Sequence, residues 1–220
     1  MGQVIRLADH REPRRSQTTT RERAMHAEFF FDLGCPFTYL VAEKVERAFD
    51  QVTWVPASTT ALRCGSLAAD PAAEEAMRAA AEERAAVLRL PLVWPERWPG
   101  EVPAAMRAAH HAAQAGRGGA FVLAATRLAF AGGFDLDDPE LLTEAAAAAG
   151  LALDACLQAA GEVRRDGAIE GAARRLLSAG ADRLPALVVD RALYWGEDRV
   201  AEVAAAARRS AAAAGRTPAL

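Results

Sequence analysis

Cysteine is scarce in this chain of 220 residues: Cys35, Cys64 and Cys156 stand far apart, at no metal-ligand spacing, and an odd number of them does not suit a disulfide framework. Such usage fits a reducing compartment. Lysine is rarer still, since Arg supplies 25 of the 26 basic residues, and the positive charges are spread along a chain of net charge −3. With no basic footprint, nucleic acid is not an expected partner. Long apolar runs are also missing: nothing approaches the roughly 20 uninterrupted apolar residues of a membrane span. The basic residues at the N-terminus lead through Met25 to Glu28 straight into a strand pattern, without the apolar stretch of a secretory signal. A soluble, cytoplasmic protein with residues 1–25 as a disordered tail is the expectation.

What is present is organised around Glu28-Phe29-Phe30-Phe31-Asp32-Leu33-Gly34-Cys35-Pro36-Phe37-Thr38-Tyr39. Phe29 to Phe31 favour a buried strand, Gly34 permits a tight turn, and Pro36 fits the first helical position, where its missing N–H costs nothing. Cys35 then falls at a helix N-terminus. Unpaired backbone N–H groups and the positive end of the helix dipole favour a thiolate there, so an acidic, nucleophilic Cys35 is expected, against the alternative of an inert buried cysteine.

After Cys35 the apolar positions Tyr39, Leu40, Ala42, Val45, Ala48 and Phe49 keep helical spacing to about Asp50, and Gln51 to Pro56 reads as a strand, parallel to the first through a right-handed crossover. From Ala57 to about Gly161 the pattern predicts helices only: Pro71 to Leu90, Pro103 to Ala115, Gly119 to Ala131, one opened by Asp138-Pro139-Glu140, and Asp154 to Ala160. A further helix spans Asp166 to Ser178. Two apolar runs, 183–190 and 192–196, joined at Asp190 and Arg191, give a hairpin signal, and Glu197-Asp198-Arg199 opens a last helix that reaches about Arg209 before fraying.

That order is an α/β thioredoxin arrangement with an all-helical domain inserted after the first strand-helix-strand unit. Residues 26–57 and 164–212 would form the thioredoxin domain, and 58–163 the insertion. Asp32-Leu33-Gly34-Cys35-Pro36-Phe37-Thr38-Tyr39-Leu40, Ala104-Ala105-Met106-Arg107-Ala108, Asp138-Pro139-Glu140, Leu184-Pro185 and Trp195-Gly196-Glu197-Asp198-Arg199 follow one another in a telling order. By these segments the chain resembles the DsbA-like branch of the thioredoxin superfamily. Within it, the chain is similar to 2-hydroxychromene-2-carboxylate isomerases and kappa-class glutathione transferases more than to periplasmic DsbA.

The resemblance implies a cis proline at Leu184-Pro185 opposite Cys35, and makes Pro36, Leu184 and Pro185 thiol-ligand-binding residues, with the Leu184 backbone pairing with an extended thiol peptide such as glutathione as a strand is added to a sheet edge. It also implies that Glu197 and Asp198 meet the γ-glutamyl end; helix capping by Asp198 alone is the alternative. Two departures stand out. Thr38 replaces the second cysteine of C-x-x-C, which removes the intramolecular release of a mixed disulfide at that position, and Cys35 stands where the isomerases and transferases usually have Ser.

Two chemistries follow for catalytic Cys35 and Thr38. In one, Cys35 forms a mixed disulfide with glutathione or another small thiol, resolved by a second external thiol. In the other, Cys35 and the helix N-terminus hold a glutathione thiolate that adds reversibly to an unsaturated substrate. The Thr38 hydroxyl would donate to either sulfur, or simply pack. The expected function is a thiol-disulfide oxidoreductase or glutathione-dependent isomerase. A glutathione transferase and a non-catalytic binding protein on a redox-degenerate thioredoxin fold are the alternatives.

Cys64 is a candidate distant resolving thiol, and Cys156 is expected to pack in a helix. His110 and His111, adjacent on a helix, cannot share a face, His26 belongs to no motif, and no metal site is expected. Trp94, Trp98 and Phe130 are read as core residues or as an apolar substrate wall. The expected partners are a small thiol and a small-molecule or disulfide substrate, with a homodimer implied only because relatives pair.

Overall fold

The computed structural model describes residues 26–63 and 70–214. Strand β1 (His26–Phe31) is buried on both faces, with Phe29 and Phe31 on one side and Phe30 on the other, and none of the three is more than 4% exposed. A strand covered twice has no solvent side on which to alternate, hence three phenylalanines in a row. Helix α1 (Pro36–Glu46) follows and stops short of the expected Asp50, because the chain turns through Arg47 and Ala48 into β2 (Gln51–Pro56). β1 and β2 pair in parallel with Phe29 opposite Trp54, their rings edge-on at 5.0 Å.

Helices then run without a strand among the described residues: α2 (Thr59–Arg63), α3 (Pro71–Leu88), α4 (Pro103–Gln114), α5 (Gly118–Phe130), α6 (Pro139–Ala148), α7 (Leu153–Gly161) and α8 (Asp166–Ser178). The starts have visible causes. Asp70 and Asp138 cap α3 and α6 by accepting the backbone N–H of Ala73 and Glu140, and proline opens α3, α4 and α6.

β3 (Ala186–Val189) pairs antiparallel with β1, and β4 (Ala192–Trp195) with β3, so the sheet order is β2-β1-β3-β4. Asp190 and Arg191 make the two-residue hairpin turn with φ of 49° and 68°, the left-handed pair that matches the strand twist. Helix α9 (Glu197–Ala214) closes the described chain and continues past the expected Arg209.

The sheet separates two apolar clusters. On one face Phe30 packs with Leu62, Leu184 and the Ala172, Ala173 and Leu176 row of α8. On the other, Phe29 and Phe31 join α1, α9 and the helices α3 to α7 in one continuous core. Ala105, Ala108, Ala109 and Ala112 of α4 are wholly buried, and such small side chains let α4 lie close to α5, α7 and β2.

Candidate active site around Cys35

The turn between β1 and α1 is held by its own acid. Asp32 accepts the Gly34 N–H at 2.9 Å through one oxygen and the Thr59 N–H at 2.7 Å through the other, tying the turn to the start of α2. Two residues from the helical segment brace the turn from outside: the Leu33 N–H donates to Met106 Sδ at 3.3 Å, and the Trp98 indole N–H donates to the Gly34 carbonyl at 3.0 Å. A Cβ at Gly34 would stand 3.1 Å from the Gly100 carbonyl, so the approach of that loop selects glycine here.

Cys35 is the N-cap of α1, with φ −92° and ψ 117°, and Pro36 takes the first helical position. The peptide bond between Leu184 and Pro185 is cis, and the Cys35 thiol points at the Leu184 carbonyl with Sγ 3.8 Å from the oxygen. Leu184 and Pro185 are both buried. A second cis bond, Trp98-Pro99, had no signal in the sequence.

Cys35 is only 5% exposed. Burial, with the charge of Asp32 adding to it, pushes the thiol up to about 12, against the Thr38 and Phe37 N–H groups and the Thr38 hydroxyl, which favour the thiolate. The expectation of an acidic cysteine is corrected accordingly: desolvation outweighs the helix N-terminus, and at neutral pH the side chain is a thiol. Asp32 is likewise raised by burial, opposed by its bonds to Thr59 and Gly34. Thr38 is fully buried, and its hydroxyl has no hydrogen-bond partner among the described residues.

Cys35 opens on a cavity of about 180 Å³. The apolar wall is made by Met77, Trp98, Val102, Met106 and Ile169, and the polar lining includes Asp32, Thr59, Glu101 and Asp166. Trp98 lines this cavity and also packs on Trp94, with ring centroids 4.2 Å apart and planes tilted by 43°, beneath the Arg78 guanidinium. Trp94 and Phe130 pack with each other away from the cavity lining.

Glu197 is engaged within the protein. It does not line the cavity; its carboxylate is buried, with Arg84 of α3 at 2.5 and 3.1 Å and Lys44 of α1 at 3.7 Å. These cations already balance its charge. Asp198 is exposed beside the turn where the Gly196 N–H donates to the Pro185 carbonyl at 2.9 Å, and it too lies outside the cavity lining.

The family described as DSBA-like thioredoxin domain matches residues 27–208. The chain belongs to that family. Solved structures share the fold: a 2-hydroxychromene-2-carboxylate isomerase at 15% identity and TM-score 0.71, covering 89% of this chain and 100% of its own. A probable DsbA oxidoreductase from Streptomyces coelicolor matches at 24% identity and TM-score 0.66, covering 89% of this chain and 93% of its own. The cytosolic disulfide reductase DsbM from Pseudomonas aeruginosa, solved with GSH, matches at 16% identity and TM-score 0.62, covering 87% of this chain and 100% of its own. No curated protein sequence matches the chain.

Other candidate residues of this DsbA-like chain fall elsewhere. Cys64 lies outside the described residues. Cys156 is buried in α7, its thiol raised by burial. His110 contacts Arg165 at 3.2 Å, and His26 meets Thr53 across the strands at 2.8 Å. Among the described residues no group of three potential ligands stands together for a metal, and no helix is long and apolar enough to cross a membrane. Sequence reasoning missed Asp32, although an Asp two residues before a turn glycine is an Asx-turn signal. It also missed Arg107, whose guanidinium pairs with both oxygens of Asp166 at 2.7 Å and fixes α4 to α8 at the cavity edge.

Proposed function

We propose that this DsbA-family protein is a monothiol oxidoreductase in which Cys35 exchanges with a small disulfide. The observation that carries this reading is the Cys35 sulfur at the start of α1, 3.8 Å from the Leu184 carbonyl and opening on a cavity. Cys35 loses its proton as substrate enters, and its thiolate attacks one sulfur of the disulfide. A mixed disulfide forms and the other half leaves as a thiol. The Phe37 and Thr38 N–H groups and the unpaired Thr38 hydroxyl are aimed to stabilise the thiolate as it develops. With Thr38 at the fourth position of the motif, release falls to an external thiol. Glutathione is the proposed one, supported by DsbM having been solved with GSH. It would lie along Leu184 and Pro185 toward Asp198, leaving Glu197 to its ion pair. The small number of cysteines supports a reducing, cytoplasmic setting.

A second reading rests on the raised Cys35 thiol. A neutral S–H is a donor suited to holding a bound glutathione thiolate, the arrangement of a glutathione-dependent isomerase or transferase, and the fold similarity to the 2-hydroxychromene-2-carboxylate isomerase accompanies it. Replacement of the sulfur separates the two. Under the exchange reading, Cys35→Ser abolishes mixed-disulfide formation at this position and all disulfide reduction; a variant that keeps disulfide turnover overturns it. Under the isomerase reading, the same variant keeps turnover of an aromatic-acid substrate in the presence of glutathione, since a hydroxyl donates in place of the thiol.

A further inference from the structure

The charge of the cavity beside Cys35 is lopsided. Four carboxylates line it, Asp32, Glu101, Asp166 and Glu170, and among the described residues no Lys, Arg or His does. Two of the four are compensated from outside the lining: Arg107 pairs with Asp166, and Arg174 meets Glu170 at 3.1 Å. Glu101 has no ion pair among the described residues, and Asp32 is bonded only to uncharged groups of Gly34 and Thr59. The chain at 64–69, outside the described residues and next in sequence to α2, carries no charge. A built wall accompanies the charge, with apolar Met77, Trp98, Val102 and Ile169, and with Thr59, whose hydroxyl oxygen is buried and unpaired. The volume equals that of about six water molecules, which suits a small ligand.

A carboxylate-bearing substrate would enter this space against a net negative lining and, among the described residues, would find no cation in that lining; the nearest, Arg78 and Arg107, are engaged with Glu74 and Asp166. An ammonium group would be drawn toward Glu101 while its carbon chain lay on the apolar wall. We propose that the disulfide taken up by the cavity is a small one bearing amine-type positive charge, a substrate class opposite in sign to an acidic disulfide. This rests on the exchange reading of Cys35. The step balances as Cys35–SH plus R–S–S–R giving Cys35–S–S–R plus R–SH. The Cys35 sulfur is oxidised to the disulfide level, one half of the substrate is reduced, and the proton released by Cys35 ends on the leaving thiol.

The test compares cystamine with 3,3′-dithiodipropionate as probes of opposite charge. Intact-protein and peptide mass spectrometry follow the mixed disulfide at Cys35 in the full chain, and each rate is divided by that of a cysteine-containing reference peptide with the same probe. The normalised preference for the cation is expected to be about tenfold in the unmodified protein, to shrink in Glu101→Gln and to invert in Glu101→Lys. A ratio near one, or a ratio indifferent to residue 101, overturns the proposal while leaving exchange at Cys35 intact. If neither probe modifies folded Cys35 but both modify the unfolded chain, the exchange reading fails instead. The charge preference is then read without chemistry, by titration calorimetry of both probes on Cys35→Ser: tighter cystamine binding upholds the substrate class, and equal binding overturns it.

Discussion

At Cys35 two physical effects meet with opposite signs. The α1 N–H groups stabilise a thiolate, and burial penalises it; burial is the larger, and the thiol is pushed up to about 12. The unfolded chain ionises this cysteine near the ordinary thiol value, so its contribution to stability is complete below that value. It is lost as the pH rises toward about 12, at roughly 1.4 kcal/mol per pH unit. The difference in stability between wild type and Cys35→Ser should follow that slope in urea titrations at alkaline pH. Iodoacetamide labelling of folded Cys35 should likewise show a midpoint far above that of a free thiol, and a midpoint at or below neutrality would contradict the burial argument. The place of Cys35 was legible in Gly-Cys-Pro, because a turn glycine and a first-position proline bracket a helix start locally. Its acidity was not, since the groups that bury it, Leu184 and the cavity wall, are remote in sequence. Asp32 went unread for a related reason: half of its bonding goes to Thr59.

At the level of elements, α9 begins where three pieces of chain converge. Glu197 at its first turn is bonded by Arg84 from α3 and approached by Lys44 from α1. Glu197→Gln should cost on the order of 1–3 kcal/mol, because it removes one charge from a buried pair and leaves the other, tempered by the partial exposure of Arg84. The same variant should leave the rate of mixed-disulfide formation at Cys35 unchanged within about twofold, since its carboxylate lies outside the cavity lining. Thermal denaturation and thiol-exchange kinetics on one preparation check both halves. Element order and most helix starts were legible, as at Asp70-Pro71 and Asp138-Pro139, where cap and proline act within a few residues. Helix α2 was not, being five residues long and held by Ser58 and Asp32 rather than by an apolar stripe. The end of α9 was set too early because an alanine-rich segment without apolar periodicity still has the highest helix propensity.

Across the whole molecule, the helices between β2 and α8 reach into the site. Met106 and Trp98 hold the Leu33 N–H and the Gly34 carbonyl of the turn before Cys35, and Arg107 fixes α8 against α4 at the cavity edge. Trp98→Phe keeps an aromatic ring on Trp94 but removes the indole donor to the Gly34 carbonyl. It should lower stability by only about 1 kcal/mol, yet slow exchange at Cys35 several-fold as the turn loses its brace; an unchanged rate in stopped-flow would show the turn to be self-supporting. The expected division at residues 58 and 163 follows sequence order, whereas packing ignores it: Phe29, Phe31, Phe121, Leu142 and Cys156 belong to one apolar interior. The helical stretch thus shares its interior with one face of the sheet. A transplant of these helices from a relative should therefore demand a matching underside of the sheet, and calorimetry should record one melting step for both parts.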